Sequence, residues 1–126
     1  MKIDIQTVTA LKIDYDLFRI APEMGMTLKV QYNIQPTVGQ TTPIAIRYFA
    51  TYLPANSGAE AEHCEFVIGV IVMVEEYQDG MLDLVKPELV KASYPLFIKK
   101  MNEIAVVIDS SGTVFNLPDV DEAMRL

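Results

Sequence analysis

The chain has 126 residues, 51% of them hydrophobic, with ten Lys plus Arg against 17 Asp plus Glu and a net charge of −7. That length is one domain, residues 1–126, with room for a real core. The hydrophobic content and a mean hydropathy of +0.23 exclude a disordered chain, and the negative charge argues against nucleic acid as a partner. So apolar a small domain is expected to bury part of its surface against another chain, as a homo-oligomer. Its acidic surface would attract basic partners.

The first residues, MKIDIQTV, lack the basic start and apolar run of a signal peptide. Ile3 and Ile5, then Leu11, Ile13, Tyr15 and Leu17, fall on alternate positions and predict one long or broken strand ending near Ala21 and Pro22. Residues 22–25 read as a loop. Leu28, Val30, Tyr32 and Ile34 alternate with Lys29, Gln31 and Asn33, a second strand with one wet face. Pro36, Gly39 and Pro43 break that pattern. A third strand covers 44–53, with Ile44, Ile46 and Tyr48 on one face and Arg47, Phe49 and Thr51 on the other. Residues 54–58, PANSG, then supply a hairpin loop.

The fourth strand, about 62–77, turns apolar on both faces after Phe66. That is how a central strand reads when a helix covers one side and another subunit the other. Gly69 within it marks a bulge or a close backbone approach. Its most apolar stretch, 66–74, is less than half of a membrane span, so no membrane insertion is expected. Asp79 and Gly80 end the strands. Residues 81–92 have room for a short helix starting at Pro87, and Ser93 then stands as N-cap of the main helix with Pro95 in its first turn. Phe97, Met101, Ile104, Ala105 and Ile108 form its sheet-facing stripe, widened by Val106 and Val107, and Gly112 is the C-cap signal.

No catalytic constellation emerges. His63, the single histidine, adjoins Cys64, the single cysteine; neighbours in a strand point to opposite faces and cannot converge on a metal or act as nucleophile and base. With one cysteine there is no intrachain disulfide, and a reducing cytoplasm is the simpler home. Glu75 and Glu76, Asp79, Asp83, and the Asp119, Asp121 and Glu122 cluster sit where acids are ordinary solvated punctuation. Six scattered glycines make no phosphate loop. The reading is therefore not an enzyme, with no metal and no cofactor. Seven methionines are more suggestive. Met24 and Met26 flank Gly25 close to Tyr15 and Phe18, and methionine with aromatic side chains makes an adaptable apolar surface.

Three segments together resemble the SecB family of protein-export chaperones, including its shorter SecB-like members. IDIQTVTALKIDYDLFRIAP is similar to the family's first strand, HCEFVIGVIVMV to its fourth, and YPLFIKKMNEIAVVIDSSGTVFNLPDVD to its helix and tail, where an aromatic-Pro pair opens the helix and Gly closes it. The sequence departs from the pattern at Thr113-Val114-Phe115, where an aromatic-proline step is usual. The arginine common after the opening proline is also absent, with Lys99 and Lys100 nearby. Typical members continue past the position of Leu126 into a second helix and a tail that help engage the export motor SecA.

The resemblance implies an α+β fold: a four-stranded antiparallel sheet followed by a long C-terminal helix packed on it, assembled as a dimer or homotetramer. It implies a cytoplasmic holdase that binds unfolded or export-bound polypeptide in apolar grooves without nucleotide, with SecA or a dedicated antitoxin as further partners. Peptide contacts are expected at Tyr15, Phe18, Met24, Met26 and Phe49, and contacts to a basic partner at Glu75, Glu76 and Asp79. The alternative is an oligomeric adaptor or antitoxin-protecting protein with one dedicated partner.

Overall fold

A computed structural model describes residues 2–14, 25–53, 64–108 and 117–125. The elements follow the expected order: β1 (Ile3–Asp14), β2 (Gly25–Ile34), β3 (Thr41–Leu53), β4 (Cys64–Glu75), α1 (Leu82–Ile108) and a single turn, α2 (Val120–Ala123). The strands form one antiparallel sheet in the order β1-β4-β3-β2. The strand read as apolar on both faces, β4, lies inside the sheet, and the strand read as half wet, β2, forms an edge. The anticipated fold, a four-stranded antiparallel sheet with a C-terminal helix, is the one observed. The features expected at residues 15–24, 54–63 and 109–116, including the helix stop at Gly112, lie outside the described residues.

One face of the sheet is packed under α1. Ile44, Ile46, Tyr48 and Ala50 of β3 alternate into this core with Phe66, Ile68, Val70, Val72 and Val74 of β4, all fully buried. From α1 come Val85, Leu89, Val90, Tyr94, Phe97, Met101 and Ile104, which extends the expected stripe towards the helix start. The rings of Tyr48 and Phe97 stack with centroids 4.7 Å apart, and Tyr94 tilts against both. Burial of such rings supplies much of the apolar driving force, at ~25 cal/mol per Å².

Three local expectations are corrected. First, β3 begins at Thr41 and includes Pro43, which had been read as a break. The Pro43 carbonyl accepts the N–H of Gln35, so its donorless nitrogen faces the same way, just beyond the end of β2, and removes no bond from the sheet interior. Second, residues 81–92 do not form a separate short helix; α1 is one element of 27 residues with Pro87 and Pro95 inside it. Third, Ser93 is no N-cap. Its hydroxyl is buried in mid-helix, donating to the Leu89 carbonyl (2.7 Å) and accepting the Tyr48 hydroxyl (2.6 Å). Met81 takes the cap position instead, its carbonyl accepting from Leu84 and Val85. Helical packing against the sheet outweighs the two prolines. Pro95 is exposed, so the Lys91 carbonyl that it leaves without a helical donor faces water.

β1 is broken by register, not by sequence composition. Its pairing to β4 shifts between Ile5 and Thr7 and again between Ala10 and Lys12. Each shift exchanges the two faces, so Ile3 and Ile5, then Val8 and Ala10, then Ile13 pair opposite core residues of β4. The tail is fastened to α1. The Tyr94 hydroxyl donates to the Pro118 carbonyl (2.5 Å), the Asp119 side chain caps α2 by accepting from the Glu122 N–H (2.8 Å), and Ala123 is fully buried.

Candidate functional site: the open sheet face

The sheet face opposite α1 is built by the residues alternating with the core. β4 contributes Glu65, Val67, Gly69, Ile71 and Met73, and β3 contributes Pro43, Ala45, Arg47, Phe49 and Thr51. β2 adds Thr27, Lys29, Gln31 and Asn33, and β1 adds Asp4, Thr7, Thr9, Lys12 and Asp14. At the second register shift Leu11 turns onto this face. Its Cδ1 lies 2.9 Å from where a Cβ on Gly69 would stand. The approach at Gly69 is therefore by a side chain and not by the backbone that was expected, and the irregularity sits on β1. Leu11 remains 51% exposed and Ile71 36% exposed. With the half-buried Phe49, Met73 and Pro43 they give an apolar row across the sheet centre around Val67, which is itself only 6% exposed, and no described element packs on the row.

The row has charged borders. Lys12 reaches diagonally from β1 to Glu65 on β4 (3.0 Å), and that hydrogen bond, with the attraction of the carboxylate, holds the lysine above its ordinary pKa. Phe49 stands directly opposite Lys29 and two residues from Arg47, which stands opposite Gln31.

Of the anticipated peptide contacts, Phe49 lies on this face and is half buried. Met26 takes the register position opposite Tyr52. Tyr15, Phe18 and Met24 lie outside the described residues, as does His63. Glu75, Glu76 and Asp79 are exposed around the end of β4. Backbone bonds fix the first two there: the Glu75 N–H donates to the Lys2 carbonyl and the Glu76 N–H to the Gln40 carbonyl, with Glu76 at φ +58°. Leu11, Val67, Ile71 and Met73 were not singled out by sequence reasoning. The doubly apolar run of β4 contained the signal for the last three; Leu11 was read only as alternating with Ile13, and the register shift that puts the two on opposite faces is invisible to alternation.

Other places offer less chemistry. A depression of about 430 Å³ on α1 is lined by Pro95, Ile98, Lys99, Asn102 and Glu103. A smaller one, of about 150 Å³, lies between α1 and Val8. Among the described residues, no group of three or more His, Cys, Asp or Glu could hold a metal ion, and no helix is long and apolar enough to cross a membrane. The buried tyrosines serve the core. Burial raises the hydroxyl pKa of Tyr48 against the opposing effect of its bond to Ser93, and raises that of Tyr94 to about 12 with help from the charges of Asp119 and Glu122.

The fold has solved counterparts. It is similar to a Mycobacterium tuberculosis SecB-like chaperone, solved in complex with a ChAD peptide from the HigA1 antitoxin, at a TM-score of 0.52 and 8% identity over 93% of this chain and 91% of that one. It is also similar to a protein of unknown function from Streptococcus agalactiae, at a TM-score of 0.58 and 12% identity over 93% and 98%. No protein-family model matches the chain, and no curated protein matches it. At these identities the likeness defines a SecB-like fold.

Proposed function

We propose that the protein is a SecB-like molecular chaperone, a holdase that binds unfolded or export-bound polypeptide through apolar surface without nucleotide and without catalysis. The observation that carries this reading is the apolar row Leu11, Phe49, Ile71 and Met73 on the open face of a SecB-like sheet. Holding a client requires only that its apolar segments be buried, at ~25 cal/mol per Å², so that the bound chain neither folds nor aggregates. The reading also assigns client contacts to Tyr15, Phe18, Met24 and Met26, together with Phe49 on the sheet. Glu75, Glu76 and Asp79 offer an acidic corner to a basic partner such as an export motor of the SecA type. The working form is a cytoplasmic homo-oligomer, dimer or tetramer.

A second reading is a dedicated partner, as in the mycobacterial counterpart solved with an antitoxin peptide. Suppression of aggregation of an unfolded model client, with the oligomer mass fixed by light scattering, separates the two. The holdase reading expects suppression near one oligomer per client, weakened several-fold by Phe18→Ser with Phe49→Ser while the oligomer stays intact. No suppression at any ratio, from a folded oligomer, overturns general holdase activity and leaves the dedicated partner.

A further inference from the structure

The charges on the open face are segregated. β2 and β3 together contain no Asp or Glu, although the chain carries 17, and their only charged residues are Lys29 and Arg47. Both are exposed, both face away from α1, and neither pairs with an acid among the described residues. Phe49 lies between them, opposite Lys29 and two residues from Arg47. Gln31, Asn33, Thr27 and Thr51 surround the trio with neutral donors and acceptors. The acids of this face, Asp4, Asp14, Glu65 and Glu75, all belong to the β1–β4 half, where Lys12 already engages Glu65.

We propose that the β2–β3 half of the open face docks an extended polypeptide segment bearing carboxylates around an apolar residue, the apolar side chain seated on Phe49 and the carboxylates on Lys29 and Arg47. This rests on reading the protein as a polypeptide binder and names the kind of segment it prefers. The spacing suits an extended chain. A cross-strand pair such as Lys29 and Phe49 stands about 5 Å apart at Cβ, and residues two apart on a strand, such as Arg47 and Phe49, about 7 Å; alternate side chains of an extended segment repeat at that same interval. Charge-assisted bonds from lysine and arginine to carboxylates are the stronger kind, and arginine engages a carboxylate with two parallel bonds. A single-stranded nucleic acid would also meet an aromatic ring between cations, but that mode uses successive stacking rings along a continuous basic groove. Here a single ring is bordered by an acidic half-sheet on a chain of charge −7.

The test uses the whole chain and fluorescence anisotropy with a labelled peptide alternating Glu and Leu, its counterpart with Lys for Glu, and a single-stranded oligonucleotide. Binding of the Glu peptide is expected to exceed that of the Lys peptide about tenfold and to weaken with added salt. Lys29→Glu with Arg47→Glu should remove the preference, and Lys29→Gln with Arg47→Gln should reduce it; all four side-chain changes are on exposed positions, and circular dichroism checks the fold. Equal binding of the two peptides, an unchanged preference in both variants, or tighter binding of the oligonucleotide overturns the proposal. Aggregation suppression on the same samples separates the two readings. Suppression without an acidic preference overturns this site alone, whereas acidic-peptide binding without suppression supports the site and counts against general holdase activity.

Discussion

Ser93 and Tyr48 illustrate how a buried hydroxyl is used in this core. The tyrosine donates to the serine and the serine donates to the Leu89 carbonyl, so both hydroxyl protons have an acceptor at zero exposure. Tyr48→Phe removes one bond and leaves the serine proton satisfied, for a loss of about 1 kcal/mol. Ser93→Ala leaves the tyrosine hydroxyl buried without its acceptor, and such a stranded group costs about 1–3 kcal/mol. Urea denaturation of the two variants should therefore rank Ser93→Ala below Tyr48→Phe in stability, although alanine is the better helix former. At this scale the sequence was legible where alternation is regular. Phe97, Met101 and Ile104 were read into the core and are there. Ser93 was misread because a serine just before an aromatic-proline pair looks the same whether it caps a helix or bonds back within one.

At the scale of elements, β2 and β3 were readable because their residues alternate in uninterrupted register, and β4 because its run after Phe66 is apolar on both faces. The helix was readable in place but not in extent. Pro87 and Pro95 each carry the mark of a helix start, and only packing against the sheet tells that the chain winds through both. Pro95→Ala would give the Lys91 carbonyl a donor and relieve the ring's clash with it, so the variant should be more stable by about 1–3 kcal/mol. Its urea midpoint should rise with the slope unchanged; no rise would mean that the ring itself packs favourably. β1 was the least legible element. Its two register shifts follow from fitting an edge strand to its neighbour, and Leu11 and Ile13, two residues apart in sequence, end on opposite faces.

For the whole molecule, composition alone pointed to excess apolar surface, and the open face now gives that excess a location. The acid-free stretch, residues 24–59, lay open in the sequence; that Lys29 and Arg47 share one face did not, because it follows only once β2 and β3 are paired and the other face of each is removed under α1. The buried tyrosines set a limit at high pH. Tyr48 and Tyr94 have hydroxyl pKa values above the ordinary 10, that of Tyr94 at about 12, chiefly through burial. The folded state thus favours the protonated phenols. Their contribution is fully present below pH 10, the ordinary value that applies once the chain is unfolded, and is lost as pH rises from 10 through about 12. Stability should be insensitive to these groups through neutrality and fall above pH 10, with late tyrosinate absorbance appearing together with loss of the helical signal. Titration of all six tyrosines near the ordinary value without unfolding would contradict this assignment.

The meeting of Leu11 with Gly69 has a consequence for descent as well as for packing. Position 69 carries no side chain where the leucine, fifty-eight residues away along the chain, lies across it. A lineage that acquires a methyl group at position 69 leaves the leucine less room, and a lineage that shortens residue 11 opens a hollow there. Because the atom nearest position 69 is the far end of a half-exposed, flexible side chain, the leucine can also swing aside, and the two sites can exchange volume as the sequence drifts. The surface presented to whatever lies on the open face can then keep its level while both of its residues change.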